Sequence, residues 1–197
     1  MQKIEKLNEL NGCIVSETKT CFPGRQVILG EGNCNAELLL IGEAPGGDEE
    51  KAVRPFVGKA GKNLISFLKA IGLNREELYI TNVVKIRPYK LSDKTGKPVN
   101  RPPDLMEKEF FSGYLDKEIE IILPKIIVTL GNVPLQAVLK DKTAVIGDYH
   151  GRIISFGGNA IFPLYHPAAI IYNRSLEQTY NEDILKLREC LNKWGEK

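Results

Sequence analysis

The chain has 197 residues, 43% hydrophobic and 26% charged, with a net charge of +2. That length predicts one domain spanning residues 1–197 with a full core. No apolar run is long enough to span a bilayer, and the first residues lack a hydrophobic signal core, so no membrane partner and a cytoplasmic location are expected.

Residues 1–12 read as an amphipathic helix, with Ile4, Leu7 and Leu10 at helical spacing. Cys13 to Arg25 reads as irregular, punctuated by Pro23-Gly24. Gln26 to Leu29 is a short strand, and Gly30-Glu31-Gly32-Asn33 a turn. Leu38 to Ile41 is an unbroken apolar run, predicted as a fully buried strand. It ends in Gly42-Glu43-Ala44-Pro45-Gly46-Gly47. In open α/β sheets ligands sit just beyond strand carboxyl ends, so Glu43 is placed at a pocket mouth. The acidic patch Asp48-Glu49-Glu50 follows, and then Arg54-Pro55-Phe56-Val57-Gly58. Pro55 and Gly58 hold Phe56 in a loop, either as a stacking platform or as a plug for the core. Asn63 to Ile71 has helical periodicity, and Gly72 stops it.

Leu78 to Val84 is a second buried strand, in which polar Asn82 must find partners or face a site. Between residues 85 and 101, six basic residues (Lys85, Arg87, Lys90, Lys94, Lys97, Arg101) stand against one acid, Asp93. That density suits either a phosphate-backbone contact or a solvated loop, and its centre around Ser92–Pro98 reads as flexible. Pro103 to Leu123 is a long helix opened by Pro102-Pro103 and Asp104. Lys125 to Leu130 is a third buried strand, and a helix runs from Asn132 to Leu139. Val145 to Phe156 reads as a β-hairpin around His150-Gly151. Ala160 to Tyr165 is a fourth strand, irregular or at an edge because of Pro163, and it delivers His166-Pro167. Ser175 to Trp194 is the terminal helix. Cysteines at 13, 21, 34 and 190 show no two-residue metal spacing and read as ordinary thiols.

Strands alternating with helices predict a three-layer α/β/α sandwich around a mostly parallel, four-stranded central sheet. Glu43, Asn82 and His166 then converge on one sheet edge.

The segments Gly42–Gly46, Arg54–Gly61, Tyr79–Lys85 and His166-Pro167, in that order, resemble the uracil-DNA glycosylase superfamily, and most of all its family-4, iron–sulfur type. The likeness spans roughly residues 25–190. It implies hydrolysis of the N-glycosidic bond of a uracil flipped out of DNA, leaving an abasic site, by an enzyme of DNA base excision repair. By that resemblance Phe56 stacks on the base, Asn82 reads its edge, and His166 hydrogen-bonds O2, with Gly42 and Ala44 completing the uracil site. Glu43 positions the attacking water or stabilises the sugar cation, with Asp48 in reserve. The loop after His166 resembles one that wedges into DNA, so Ala168, Ile171, Tyr172 and Arg174 are expected on DNA together with Lys59, Lys85 and Arg87. The partner is uracil-containing DNA, and a monomer is expected.

Family-4 enzymes hold a [4Fe–4S] cluster on four cysteines. The resemblance puts Ile86 and Phe111 at the third and fourth of those positions, and no cysteine lies between Cys34 and Cys190. The expectation is therefore no metal, no cluster and no other cofactor. A non-catalytic nucleic-acid-binding homologue, or a glycosylase for another deaminated base, stays open as the alternative. A phosphate-binding nucleotide enzyme is disfavoured by the absence of a Gly-Lys-Ser/Thr loop.

Overall fold

A computed structural model describes residues 2–195, without the side chains of residues 59, 60, 65, 171, 172, 194 and 195. In chain order it contains α1 (Lys3–Cys21), β1 (Glu31–Gly32), β2 (Leu38–Gly42), α2 (Gly47–Ala52), α3 (Lys59–Ile71), β3 (Tyr79–Asn82), β4 (Tyr89–Leu91) and β5 (Pro98–Asn100). The second half contains α4 (Leu105–Ile122), β6 (Ile126–Leu130), α5 (Asn132–Leu139), α6 (Ile146–Tyr149), β7 (Ile154–Phe156), β8 (Asn159–Leu164), α7 (Pro167–Tyr172) and α8 (Glu177–Gly195).

The sheet has the order β1-β3-β2-β6-β8-β7. Its four central strands, β3, β2, β6 and β8, are parallel, and the short outer strands β1 and β7 pair antiparallel. These four are the strands expected from the apolar runs. The chain leaves β2 for β3 on one side and then returns to β6 on the other. The carboxyl end of β2 is thus a topological switch point, where such sheets open a crevice.

Alternation along each buried strand builds the two outer layers. Leu39, Ile41, Tyr79, Ile127 and Ile161 face one way and meet α1, α4 and α5 through Ile14, Phe111, Leu115 and Leu135. Leu38, Leu40, Ile80, Val128 and Phe162 face the other way and meet α3 and α8 through Leu64, Phe67, Ile184 and Leu187. A strand covered on both faces has no room for the polar half of an alternating pattern, which is why these runs are continuously apolar.

Five local expectations need correction. Helix α1 runs on to Cys21, because Ile14 and Thr18 continue the buried stripe of Leu7 and Leu10 and override the polar residues between them. Val27 makes only an isolated bridge to Ile86, so residues 26–29 are not a strand of the sheet. Residues 146–149 are helical, and the hairpin lies later, as β7–β8 turning at Gly157-Gly158. Strand β8 is interior, between β6 and β7. It tolerates Pro163 because β7 pairs only as far as Ile161, and on that side the Pro163 carbonyl accepts from the Gly151 N–H at 3.0 Å. The missing donor of Pro163 faces the gap where β7 has ended. Residues 89–100, expected to be flexible at their centre, form the antiparallel β4–β5 hairpin.

Between α1 and α4, Phe22, Phe110 and Phe111 pack as a cluster. The Phe110 ring meets the other two edge-on, with centroids 5.1 and 4.8 Å away, and Phe22 stacks on Phe111 at 6.1 Å. Phe111 and Ile86 are fully buried there. Replacing Phe111 by Ala should lower the unfolding free energy by about 3–5 kcal/mol, read from urea denaturation.

Candidate active site

A cavity of about 300 Å³ opens at the carboxyl ends of the parallel strands. Ala44, Asp48, Phe56, Asn82, His166 and Ala168 line it, all of them expected at the site. Gly42, expected at the uracil site, is not itself a lining residue but lies directly against Phe56 and Asn82, which are. A Cβ on Gly42 would come within 2.4 Å of the Phe56 ring and 2.5 Å of Asn82 Oδ1, so only glycine lets ring and amide close on the strand.

Asn82 ends β3, paired in register with Gly42, and is 3% exposed. Among the described residues its side-chain amide has no protein partner, and it faces the cavity. The amide is open to the cavity, where it can donate to and accept from a ligand.

His166 caps the amino end of α7. Its Nδ1 accepts the Ala168 N–H at 3.1 Å. Accepting at Nδ1 assigns the neutral ring's proton to Nε2, leaving that nitrogen as a donor. Burial lowers the His166 pKa below its ordinary 6.5, which favours the neutral form.

Phe56 sits in the left-handed region, with φ of 53°, and its loop is held from two sides. Arg75 donates to the Pro55 carbonyl at 2.6 Å and the Phe56 carbonyl at 3.2 Å, while pairing with Glu31 at 2.5 Å. Glu49 accepts the N–H groups of Val57 at 3.2 Å and Gly58 at 2.8 Å through one oxygen, and that of Gly46 at 3.1 Å through the other. One buried carboxylate thereby fixes both the glycine turn and the aromatic loop. Sequence reading missed Glu49, Arg75 and Asn100, the last of which also lines the cavity. Glu49 had a signal, an acid three residues into a helix after a glycine cap. Arg75 and Asn100 had none.

Several expected site residues lie elsewhere. Glu43 is not among the lining residues. Its carbonyl accepts the Val84 N–H at 3.1 Å just past the end of β2. Burial raises its pKa, with Lys108 of α4 acting against the rise. The carboxylate on the cavity wall with no hydrogen bond among the described residues is Asp48, the reserve candidate.

Lys85, expected on DNA, is fully buried. Its ammonium pairs with Glu118 and donates to Thr81 Oγ1 at 2.6 Å and the Asn82 carbonyl at 2.7 Å. A side chain without exposed surface cannot reach a phosphate. Burial pulls the Lys85 pKa down, and Glu118 opposes it. Arg87, also expected on DNA, is committed within the protein, to Glu50 at 3.0 Å and Asn100 Oδ1 at 2.8 Å. Arg174 is exposed beside a separate groove lined by Asn63, Phe67 and Tyr180. The side chains of Lys59, Ile171 and Tyr172 lie outside the described residues. No helix among the described residues is long and apolar enough to cross a membrane.

Comparison with known proteins identifies the family. The family described as the uracil DNA glycosylase superfamily matches residues 29–188. A Type-4 uracil-DNA glycosylase of Sulfurisphaera tokodaii is 38% identical over 96% of this chain and 85% of its own. Those of Thermotoga maritima and Archaeoglobus fulgidus are each 36% identical, over 97% and 96% of this chain and 94% and 92% of theirs.

These relatives overturn the expectation of no cofactor. Type 4 is the iron–sulfur type, so a chain this similar to its members cannot be assigned as cofactor-free from its sequence. The residues at the two later ligand positions, Ile86 and Phe111, carry no thiolate and are packed in apolar core. Cys13 and Cys21 are exposed on α1, Cys34 is half-buried before β2, and Cys190 lies on α8. This set does not fit four-thiolate ligation at those positions, and no step below runs through a cluster.

Replacing Lys85 by Met leaves the Glu118 charge buried and unpaired. The expected loss is about 3–5 kcal/mol by urea denaturation, most of it recovered when Glu118 is also replaced by Leu.

Proposed function

Because this chain belongs to the uracil DNA glycosylase superfamily, we propose that its cavity takes a uracil extruded from DNA and hydrolyses the bond joining that base to its sugar. It is a hydrolase of N-glycosyl bonds, and we assign its work to DNA repair on uracil-containing DNA, as a cytoplasmic monomer with the whole cavity built by one chain. The observation that carries the reading is the cavity-facing amide of Asn82, without a protein partner among the described residues, sharing one cavity with the Nε2–H donor of His166.

The chemistry follows from those groups. An amide supplies a donor and an acceptor together, and uracil and cytosine exchange donor and acceptor at N3 and at the exocyclic 4-position. Asn82 is therefore suited to discriminate between them. The Phe56 ring supplies a face for stacking, and at about 300 Å³ the cavity is at the small end of ligand sites, in keeping with a single base. As the bond breaks, negative charge gathers on the base and positive charge on the sugar. The Nε2–H of His166, already oriented by Ala168, meets the first charge without reorganisation. Asp48 on the cavity wall is suited to the second and to holding a water for attack at the sugar. The loop after His166 and the glycine turn are the surfaces on which the extruded strand would rest.

A uracil-containing oligonucleotide incubated with the protein and then treated with alkali should break at the uracil position. An intact strand, with the protein shown to be folded, would abandon the assignment. His166→Leu should lower kcat by about 10²–10³ without unfolding the chain. Asp48→Asn should slow release more than Glu43→Gln. The working form of His166 is neutral and its pKa is lowered. The acid limb of kcat/KM should therefore lie below pH 6.5, where a second ring proton displaces the Ala168 N–H bond.

A further inference from the structure

The β4–β5 hairpin is not absorbed by the catalytic reading, although it begins at the cavity wall with Asn100. Its root is pinned on every side. Arg87 bonds Asn100 Oδ1 at 2.8 Å and the Pro98 carbonyl at 3.2 Å, and Arg25 and Arg87 lie over the Tyr89 ring at 4.5 and 5.7 Å. Arg101, just past the hairpin, is held by Glu107 at 2.7 Å and Asp104 at 3.3 Å. Glu50, and Asp104 with Glu107, thus neutralise Arg87 and Arg101 at the root.

The arm itself is different. Residues 93–100 are all exposed, and a tight turn closes it, with the Ser92 N–H donating to the Lys97 carbonyl at 2.9 Å. Lys90, Lys94 and Lys97 are exposed, and among the described residues none of them forms an ion pair. The only acid on the arm is Asp93. Charge compensation at the root and none along the arm leaves a rigidly mounted, net positive finger beside the mouth of the cavity.

We propose that this hairpin is a DNA-tracking arm, whose three lysines contact the phosphates of the strand flanking the extruded nucleotide. The proposal rests on the glycosylase reading for its substrate. At about 3.3 Å per residue the arm reaches no farther than roughly 20 Å from Asn100, the length of about six base pairs. It would therefore act on long DNA and not on the base. Each lysine that neutralises a phosphate steepens the salt dependence of binding by about 0.9 in log–log slope.

The test compares the wild type, a triple Lys90→Ser, Lys94→Ser, Lys97→Ser variant and the matching triple Lys→Arg variant. Binding is measured on a uracil-free duplex of about 25 base pairs across a salt series, so that it is scored independently of uracil release. The serine variant should keep the wild-type thermal melt, flatten the slope by about 2–3, and lower kcat/KM on a uracil duplex with kcat unchanged. The arginine variant should keep the wild-type slope. A wild-type slope in the serine variant or a flattened slope in the arginine variant would each overturn the arm. Absence of uracil release by the wild type would instead overturn the glycosylase reading and leave the duplex-binding result to stand or fall alone.

Discussion

The cavity exists because Gly42 lacks a side chain. At the end of β2 the Phe56 ring and the Asn82 amide press against a bare Cα, so close that one added carbon would collide with both. That approach brings together a loop from after α2 and the last residue of β3, two segments with no local reason to meet. Glu49 makes the arrangement durable. Its carboxylate gathers three backbone N–H groups from the turn at Gly46 and the loop at Val57-Gly58. Charge-assisted bonds of this kind are roughly twice as strong as neutral ones, which suits a loop whose aromatic sits in the left-handed region at a cost of about 1–2 kcal/mol.

Behind the sheet a second network supports the same strand end. Lys85 reaches the Asn82 carbonyl while paired with Glu118, and Thr81 bridges the two. The pair lies in the apolar layer with α4, where each charge alone would be costly. Asn82 is thereby fixed through its backbone from one face of the sheet and free through its amide on the other. A reading group needs both conditions: a stiff mount, and donors and acceptors not already committed to protein.

The parallel core was legible because doubly covered strands must be apolar throughout, and four such runs stand out. The convergence of Asn82 and His166 followed from the rule that sites lie at strand carboxyl ends. What escaped was decided by tertiary contact. Helix α1 was extended by burial against α4 and not by propensity. Pro163 signals an irregular or edge strand, yet the local ending of β7 removes the penalty in an interior one. The exposure of Lys85 was misjudged because a lysine at a strand end looks alike whether it meets water or a buried Glu118, and the partner is 33 residues away. Arg75 holds the Phe56 loop through backbone carbonyls, which no side-chain pattern announces.

The carboxylates show how backbone geometry sorts residues of one type into different chemistry. Glu43, Asp48 and Glu49 crowd into seven residues of sequence and look interchangeable there. Glu43 follows directly on β2 and does not line the cavity; burial raises its pKa, and Lys108 of α4 acts against the rise. Helix geometry then separates the other two, since adjacent helical residues point about 100° apart. Glu49 turns inward and its oxygens are filled by backbone N–H groups, so it can support the site but has little capacity left for a substrate. Asp48 lines the cavity, and among the described residues its oxygens accept no hydrogen bond. An acid meant to hold a water or oppose a sugar cation must be near the reacting atoms and must not be neutralised by protein donors. Of the three, only Asp48 lines the cavity with no hydrogen bond among the described residues, and the reason lies in the turn after β2 and the first turn of α2, not in any difference of side-chain chemistry.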